Sequence, residues 1–306
     1  MRVYVAGHSG LVGSAVSRAL EHRDGYTWLG KPRADLDLCN REAVFKFFEK
    51  ENFDVLIMCA AKVGGIKANN ESPVEFLSEN LQIQTNLLDA AHHANIDRVV
   101  FLASSCVYPK TAQQPLKEEY LFGGPLEDTN DAYAIAKLAG IKMVQSYRKE
   151  YERSWISLTP TNIYGPYDNF TNDSSHVVPA LIRKIHRAKL DGSDSITLWG
   201  SGLQRREFLH SDDLADAVIY LLENFDDNFA INVGYGEDIE LNELAHLIAE
   251  IIKFKGKIYW DSRQPDGMPR KLLDLTKINQ LGWQPKIPLV DGIVETYNWY
   301  IQEHKI

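Results

Sequence analysis

The chain opens with a short apolar run, Arg2–Ala6 (RVYVA). It passes straight into glycines spaced three apart, Gly7, Gly10 and Gly13, and then into a helical pattern reaching about His22. Nothing else in the sequence narrows the possible folds as much. Glycine permits a tight turn that brings backbone N–H groups close to a ligand, and the helix that follows aims its partial positive charge at the same point. A strand, a G-x-x-G-x-x-G turn and a helix in that order begin a pyrophosphate-binding βα unit; the competing reading is a tight turn with a structural role only.

The rhythm continues. YTWLG, FDVLIM, RVVFLA and WISLTP read as four further strands. REAVFKFFEK, a long amphipathic stretch from about Pro73 to Asn95, and DAYAIAKLAGIKMVQSYRKEY read as the helices between them. Ser72 is the N-cap candidate of the 73–95 helix and Pro73 its first residue. Alternation of this kind predicts an α/β fold with a doubly wound parallel sheet, and strands apolar almost throughout suit a sheet covered on both faces. Past about Gly165 the pattern breaks into the loop YGPYDNFTNDSSH. A helix from about Pro179 to Leu190, SITLWG, REFLH, a helix from about Asp213 to Leu222, FAINVG and a helix from about Asn242 to Lys253 follow. The expected division is a nucleotide-binding domain of residues 1–165 plus about 205–235, to which REFLH and INVG return, and a smaller C-terminal α/β substrate lobe of about 166–204 and 236–306.

Composition excludes several classes. With 306 residues, 44% of them hydrophobic, the chain can bury a sizeable core. A formal charge of -9 without a long basic run argues against nucleic acid or a membrane surface as partner. Cys39, Cys59 and Cys106 are too few and too far apart for a disulfide framework or a metal site, which predicts a cytoplasmic protein without metal. The N-terminus has no long apolar segment, so no signal peptide is expected, and no apolar run approaches the roughly 18 residues of a membrane span.

Two patterns point to chemistry. Where dinucleotide sites place an acidic ribose ligand after the second strand, the first charges here are Lys31 and Arg33, with Asp35 later. Cations there suit the 2′-phosphate of NADP; otherwise they are solvated surface charges. Tyr133 and Lys137, four apart on a helix, share one face. A nearby ammonium is expected to lower the phenol's pKa and ready it to exchange a proton with a carbonyl or alcohol oxygen while a nicotinamide exchanges hydride with the carbon. Ser104, at the end of the fourth strand, is either a hydrogen-bond donor to the same oxygen or a turn serine.

The glycine turn, Ser104 and Tyr133-x-x-x-Lys137 together resemble the extended short-chain dehydrogenase/reductases that act on nucleotide sugars. AAKVGGIKANN, SSCVYPK, DAYAIAKLAGIK, PTNIYGPYDNF, SSHVVPAL, WGSGLQRREFLH, INVGYG and PDGMPRKLLD carry the resemblance in consistent order to about residue 300. They narrow it to members handling a GDP-4-keto-6-deoxy sugar. The resemblance implies a Rossmann fold, NADP(H), a homodimer formed through the 73–95 and 131–151 helices, whose apolar faces could equally complete the monomer's own packing, and conversion of GDP-4-keto-6-deoxy-D-mannose to GDP-L-fucose. That conversion is epimerisation at C3 and C5 followed by reduction at C4. By resemblance the cofactor lies against Gly7, Gly10, Leu11, Val12, Gly13, Arg33, Lys137, Pro160, Asn162, Ile163 and His176, and the substrate against Lys184, Trp199, Arg206 and Asp266. The chain departs from the family pattern at Ser9 and Lys184, where arginine is expected. Trp199 could equally be a core aromatic, and Arg206 an ordinary ion-pair partner of Glu207 or Asp212.

Cys106 stands two residues after Ser104. By chain physics alone a free cysteine is most often a small buried hydrophobe, and a lone loop histidine such as His176 is most often structural. The resemblance reverses both readings: Cys106 becomes the base that removes protons beside the C4 ketone, and His176 the acid that returns them. Competing functions are a nucleotide-sugar 4-epimerase, which the basic KPR disfavours, and a 4,6-dehydratase, whose acidic pair is replaced here by Cys106 and Val107. A non-catalytic dinucleotide sensor is disfavoured by retention of Ser104, Tyr133 and Lys137 together.

Overall fold

The computed structural model describes residues 1–171, 175–263 and 266–304. The first half alternates β1 (Arg2–Ala6), α1 (Leu11–Glu21), β2 (Thr27–Leu29), α2 (Arg41–Lys50), β3 (Val55–Met58), α3 (Ile66–Glu71), α4 (Pro73–His93), β4 (Arg98–Leu102), α5 (Asp131–Tyr151) and β5 (Ser154–Pro160). The second half adds β6 (Asn162–Tyr164), α6 (Val177–Leu190), β7 (Ser195–Trp199), β8 (Arg205–His210), α7 (Ser211–Asn224), β9 (Ile231–Val233), β10 (Asp238–Glu240), α8 (Leu241–Ile252), β11 (Lys257–Asp261), β12 (Arg270–Lys271), α9 (Thr276–Gln280) and α10 (Leu289–His304).

Six strands form one parallel sheet in the order β2-β1-β3-β4-β5-β9. The chain steps from β1 to one side for β2 and to the other for β3. Right-handed crossovers therefore place α1 on one face and α2, α4 and α5 on the other. Packing follows: α1 lies on α7, while α4 lies between α2 and α5. Both faces are covered, so β3 is buried at every residue and Val3, Val5, Leu56, Val99, Val100 and Leu158 are wholly enclosed. The strand order reverses between β1 and β3, and ligands bind such sheets at the carboxyl ends beside that point.

The sequence correctly assigns INVG, as β9, to this sheet, but REFLH does not return to it. β8 instead centres a second sheet with β10 and β12 on either side and β6 also paired to it. The reason is Glu207. Its side chain is wholly buried, and it accepts backbone N–H groups from Tyr235 and Gly236 at 2.7 Å and from Leu273 at 3.0 Å. A strand carrying a buried carboxylate is satisfied between those turns and not inside an apolar parallel core. Nearby, Asn232 donates to the carbonyls of Leu116 (2.8 Å) and Asp274 (3.0 Å) and accepts from Tyr108 Oη (2.5 Å). A separate apolar cluster, including Ile182, Ile185, Leu198, Phe208, Leu244, Ile248 and Ile293, is shared among α6, β7, β8, α8 and α10.

The predicted helices exist with shifted ends. Pro73 begins α4 as expected, whereas the Ser72 side chain makes no cap bond. α10 was not anticipated, although Ile293, Thr296 and Tyr300 bury one face of it at helical spacing. Residues 172–174 of the expected long loop lie outside the described residues, as do 264–265 and 305–306.

One close approach sets the site. A Cβ on Gly140, in α5, would stand 2.2 Å from Cζ of Phe101, whose ring is 1% exposed and has nowhere to go. The bare glycine lets α5 lie hard against β4, one turn beyond Lys137. Gly140→Ala is therefore expected to push α5 outward, costing about 1–3 kcal/mol from overpacking, and to lower catalytic activity beyond what the lost stability explains. Thermal unfolding and turnover of the variant measured together test this; an unchanged melting temperature would show that the helix has room.

Candidate active site

The glycine turn sits at the carboxyl end of β1. Gly7 has φ +82°, and a Cβ there would lie 2.6 Å from the backbone N of Ala60. A Cβ on Gly13 would lie 2.0 Å from the carbonyl oxygen of Gly7. These two glycines are required by the fold itself. Gly10 is different. It has φ −83°, a Cβ there would find only ordinary contact with Gly7 O at 3.6 Å, and no side chain caps the helix it begins. The first-turn N–H groups of α1, with Leu11 and Val12 half-buried behind them, thus meet no acidic side chain in that turn. An exposed Gly10, an uncapped helix N-terminus and two flanking positions, Gly7 and Gly13, with no room for a Cβ fit a pyrophosphate. Arg33, after β2, has a side chain 71% exposed and donates to Glu79 at 2.7 Å. Glu79 also faces Lys62 at 3.6 Å, which places a line of charge along this edge.

Ser104 follows β4 and begins a single 3₁₀ turn, Ser105–Val107; its Oγ accepts from the backbone N of Cys106 at 3.3 Å. Lys137 is 4% exposed, and its Nζ donates to the carbonyl of Leu102 at 2.8 Å and lies 5.9 Å from the centre of the Tyr133 ring. Burial pushes the Lys137 ammonium down to about 8. The expected lowering of the Tyr133 phenol is not found: burial, with a smaller push from Cys106, raises it well above its ordinary value, against a hydrogen bond from Ser104 that lowers it. Desolvation there outweighs an ammonium 5.9 Å from the centre of the ring. The phenol is held as the neutral acid, the form that gives up a proton to an alkoxide.

Cys106 is half-buried beside this pair. Asn130 Nδ2 donates to its Sγ at 3.3 Å, and Lys271 Nζ at 3.7 Å. Neither residue was assigned a role from sequence. His176 is the residue before α6, but its side chain does not cap that helix. Its ring is exposed by area, and desolvation by the surrounding protein lowers its pKa. The backbone leading to it passes over Gly65, where a Cβ would stand 3.0 Å from Ser175 O. Pro160 is buried at the end of β5, and Asn162 and Ile163 open β6 half-exposed at the same edge; one Asn162 N–H goes to the carbonyl of Glu207 at 2.8 Å.

The remaining predicted residues gather on the second sheet and its turns. Trp199 is 54% exposed, so it is no core aromatic, and Lys184 Nζ stands 5.8 Å over its ring. Arg206 does not pair with Glu207, whose oxygens are taken by backbone, nor with Asp212, which pairs with Arg18 at 2.6 Å. Its guanidinium, desolvated and shifted down, instead faces Cys106, Glu127 and Asp266. Lys184 is likewise desolvated. Two cations held out of water with incomplete counter-charge are favourable neighbours for a diphosphate. Asp266 is exposed and accepts from the backbone N of Ser201 at 2.7 Å, which pins the glycine turn after Trp199.

A doubly wound sheet with a glycine turn at its switch point and a Ser–Tyr–Lys set at the adjoining strand end defines a dinucleotide-dependent oxidoreductase or epimerase. The family model for the NAD dependent epimerase/dehydratase family matches residues 3–234. The chain belongs to that family. It is 50% identical over 302 residues to a probable GDP-L-fucose synthase 1 of Oryza sativa subsp. japonica, covering 98% of this chain and 92% of the relative. Among solved structures, a GDP-6-OMe-4-keto-L-xylo-heptose reductase from C. jejuni superposes with a TM-score of 0.95 at 37% identity, covering 99% of this chain and 98% of the other. A GDP-L-fucose synthetase from Naegleria fowleri bound to NADP gives a TM-score of 0.91 at 27% identity, covering 99% and 95%.

Proposed function

We propose that this protein converts GDP-4-keto-6-deoxy-D-mannose to GDP-L-fucose, inverting C3 and C5 and then reducing the C4 ketone with NADPH. The observation that carries the reading is a thiol, Cys106, built into the same strand end as the reductase set Ser104, Tyr133 and Lys137. The names of the rice relative and the Naegleria neighbour support it.

The C4 carbonyl acidifies the hydrogens on C3 and C5. Ser104 and Tyr133 hydrogen-bond the C4 oxygen and stabilise the enolate. Cys106 takes the proton; the C–H electron pair moves into the enolate, and the sulfur becomes a thiol. His176 delivers a proton to the other face of the same carbon, which inverts it. NADPH, when bound, supplies the hydride to C4. Tyr133 supplies the proton to the C4 oxygen, and Lys137 orients that ring. Lys184 and Arg206 hold the diphosphate, Trp199 covers the nucleotide, and Asp266 accepts a hydrogen bond from guanine or ribose. Leu11, Val12, Pro160, Asn162 and Ile163 line the cofactor with the three glycines.

Likeness to the C. jejuni reductase favours one second reading, reduction of a GDP-4-keto sugar without epimerisation. NMR analysis of the product from GDP-4-keto-6-deoxy-D-mannose and NADPH separates the two. Fucose configuration supports the first, unaltered C3 and C5 the second, and no NADPH oxidation overturns both.

The same reading includes the division into a 1–165 plus 205–235 domain and a substrate lobe; the two apolar clusters support two units, but Tyr164 and Phe208 fall in the second and Leu273, Leu275, Ile278 and Trp283 in the first. It also includes a homodimer through α4 and α5, whose exposed faces carry Val74 and Ile135, and a cytoplasmic setting consistent with three free cysteines. Among the described residues no helix is long and apolar enough to cross a membrane.

NADPH is expected to be preferred to NADH because Arg33 is exposed after β2, where a 2′-phosphate would stand and compete with Glu79 and Asp37 for it. Arg33→Ala should raise the KM for NADPH roughly tenfold, the lower end of the about 1.5–3 kcal/mol typical of hydrogen bonds to charged groups, and leave that for NADH nearly alone. An unchanged ratio of the two kcat/KM values would remove Arg33 from the specificity.

A further inference from the structure

We infer that Asn130 and Lys271 are positioning residues that together hold Cys106 as a thiolate. This rests on the proposed role of Cys106 as proton acceptor, and it concerns what makes that role possible.

The geometry begins with an anomaly at Asn130. It occupies the N-cap of α5, where an asparagine side chain ordinarily accepts a first-turn N–H, yet it makes no cap bond. Its amide is turned away from the helix, with Nδ2 donating to Cys106 Sγ at 3.3 Å and Oδ1 buried without a partner. The residue forgoes a favourable local bond and leaves an acceptor unsatisfied in order to point a donor at sulfur. From the other side comes Lys271 Nζ, 3.7 Å from the same sulfur. Lys271 lies on β12 in register with Arg206 of β8. That register is fixed by Glu207, whose second carboxylate oxygen takes the N–H of Leu273.

The charged and titratable groups around the sulfur are Lys271 from β12, Arg206 from β8, Tyr133 from α5 and, facing Arg206, the carboxylates of Glu127 and Asp266. Those carboxylates offset Arg206, which leaves Lys271 as the cation in direct contact with the sulfur. Both direct contacts are N–H donors. Such surroundings favour the anion over the thiol, which is the weaker acceptor. A base that must take protons from carbon is more effective the larger its thiolate fraction at working pH.

The test is the pH dependence of iodoacetamide alkylation at Cys106 in the NADPH-bound enzyme without substrate, read on the Cys106 peptide by mass spectrometry. Cys39 and Cys59 are then scored separately. In Lys271→Met the alkylation midpoint is expected to rise by about one pH unit or more, giving a roughly tenfold smaller thiolate fraction at neutral pH. In Asn130→Ala it should rise by less, with an unchanged melting temperature because no cap is lost. Lys271→Arg should restore the native midpoint. Deuterium exchange at C3 should slow in proportion in each variant. A native midpoint in folded Lys271→Met overturns the proposal. The two readings fail separately: if Cys106→Ser still epimerises at the native rate while the midpoints shift as expected, the base assignment falls and the donor pair stands.

Discussion

Tyr133→Phe is expected to fold as the native chain does and to lose reduction by about two to four powers of ten, the range for removing a general acid. Phenylalanine keeps the ring that packs beside Lys137 and removes only the hydroxyl. In the native protein burial keeps that hydroxyl protonated, and Ser104 hydrogen-bonds it. It is a donor held ready at the end of β4. Without it the oxygen at C4 gains negative charge with one hydrogen bond fewer and no proton to accept. The enolate of the earlier steps loses the same contact, so epimerisation should also slow, by a smaller factor. Single-turnover NADPH oxidation, with circular dichroism to confirm the fold, measures the effect. A folded variant oxidising NADPH within tenfold of the native rate would take Tyr133 out of the chemistry.

Cys106→Ser is expected to separate the two halves of the reaction. Serine nearly matches cysteine in size, and its hydroxyl can still meet Asn130 and Lys271. Its alcohol is far less acidic, so the proton acceptor is largely gone. Deuterium uptake from solvent at C3 and C5 should fall by at least two powers of ten, the lower bound for general-base loss. The C4 ketone should still be reduced, because neither the hydride nor the Tyr133 proton involves sulfur. The product should be an unepimerised GDP-6-deoxy sugar, which NMR distinguishes from the fucose configuration. Fucose-configured product at the native rate would return Cys106 to the role of a packing residue.

Much of this was legible because it is local. The glycine turn is specified within thirteen residues, and the parallel strands announce themselves as unbroken apolar runs. Tyr133 and Lys137 are one helical turn apart, so their shared face follows from the period alone. What could not be read is contact between distant segments. Lys271 reaches Cys106 across 165 residues, and its motif, PDGMPRKLLD, shows a lysine with nothing to say where it points. Asn130 stands at the N-cap of α5 without capping it, and an asparagine that caps and one that does not have the same sequence. Glu207 was offered as an ion-pair partner for its neighbour Arg206, when β-strand alternation sends adjacent side chains to opposite faces. The raised phenol escaped for a related reason: a sequence shows which charges are near in number but not how much water has been removed.

The bonds around Asn232 and Glu207 carry a consequence for how the protein comes to exist on the ribosome. Through Asn232, the segment at Tyr108 and Leu116 is tied to β9 and to Asp274; through Glu207, β8 is tied to the 235–236 turn and to Leu273. The strand that leads into the Ser104–Cys106 turn is thus synthesised early, whereas the groups that fix the far wall of that turn emerge last. The β1–β5 part of the parallel sheet can pair during synthesis from contacts close in sequence, which form fast, while the face that carries α1 waits for α7. The reaction centre cannot, since its closure waits on a span of more than one hundred residues. Truncation before residue 273 is therefore expected to leave Glu207 without one of its backbone donors and the reaction centre unclosed.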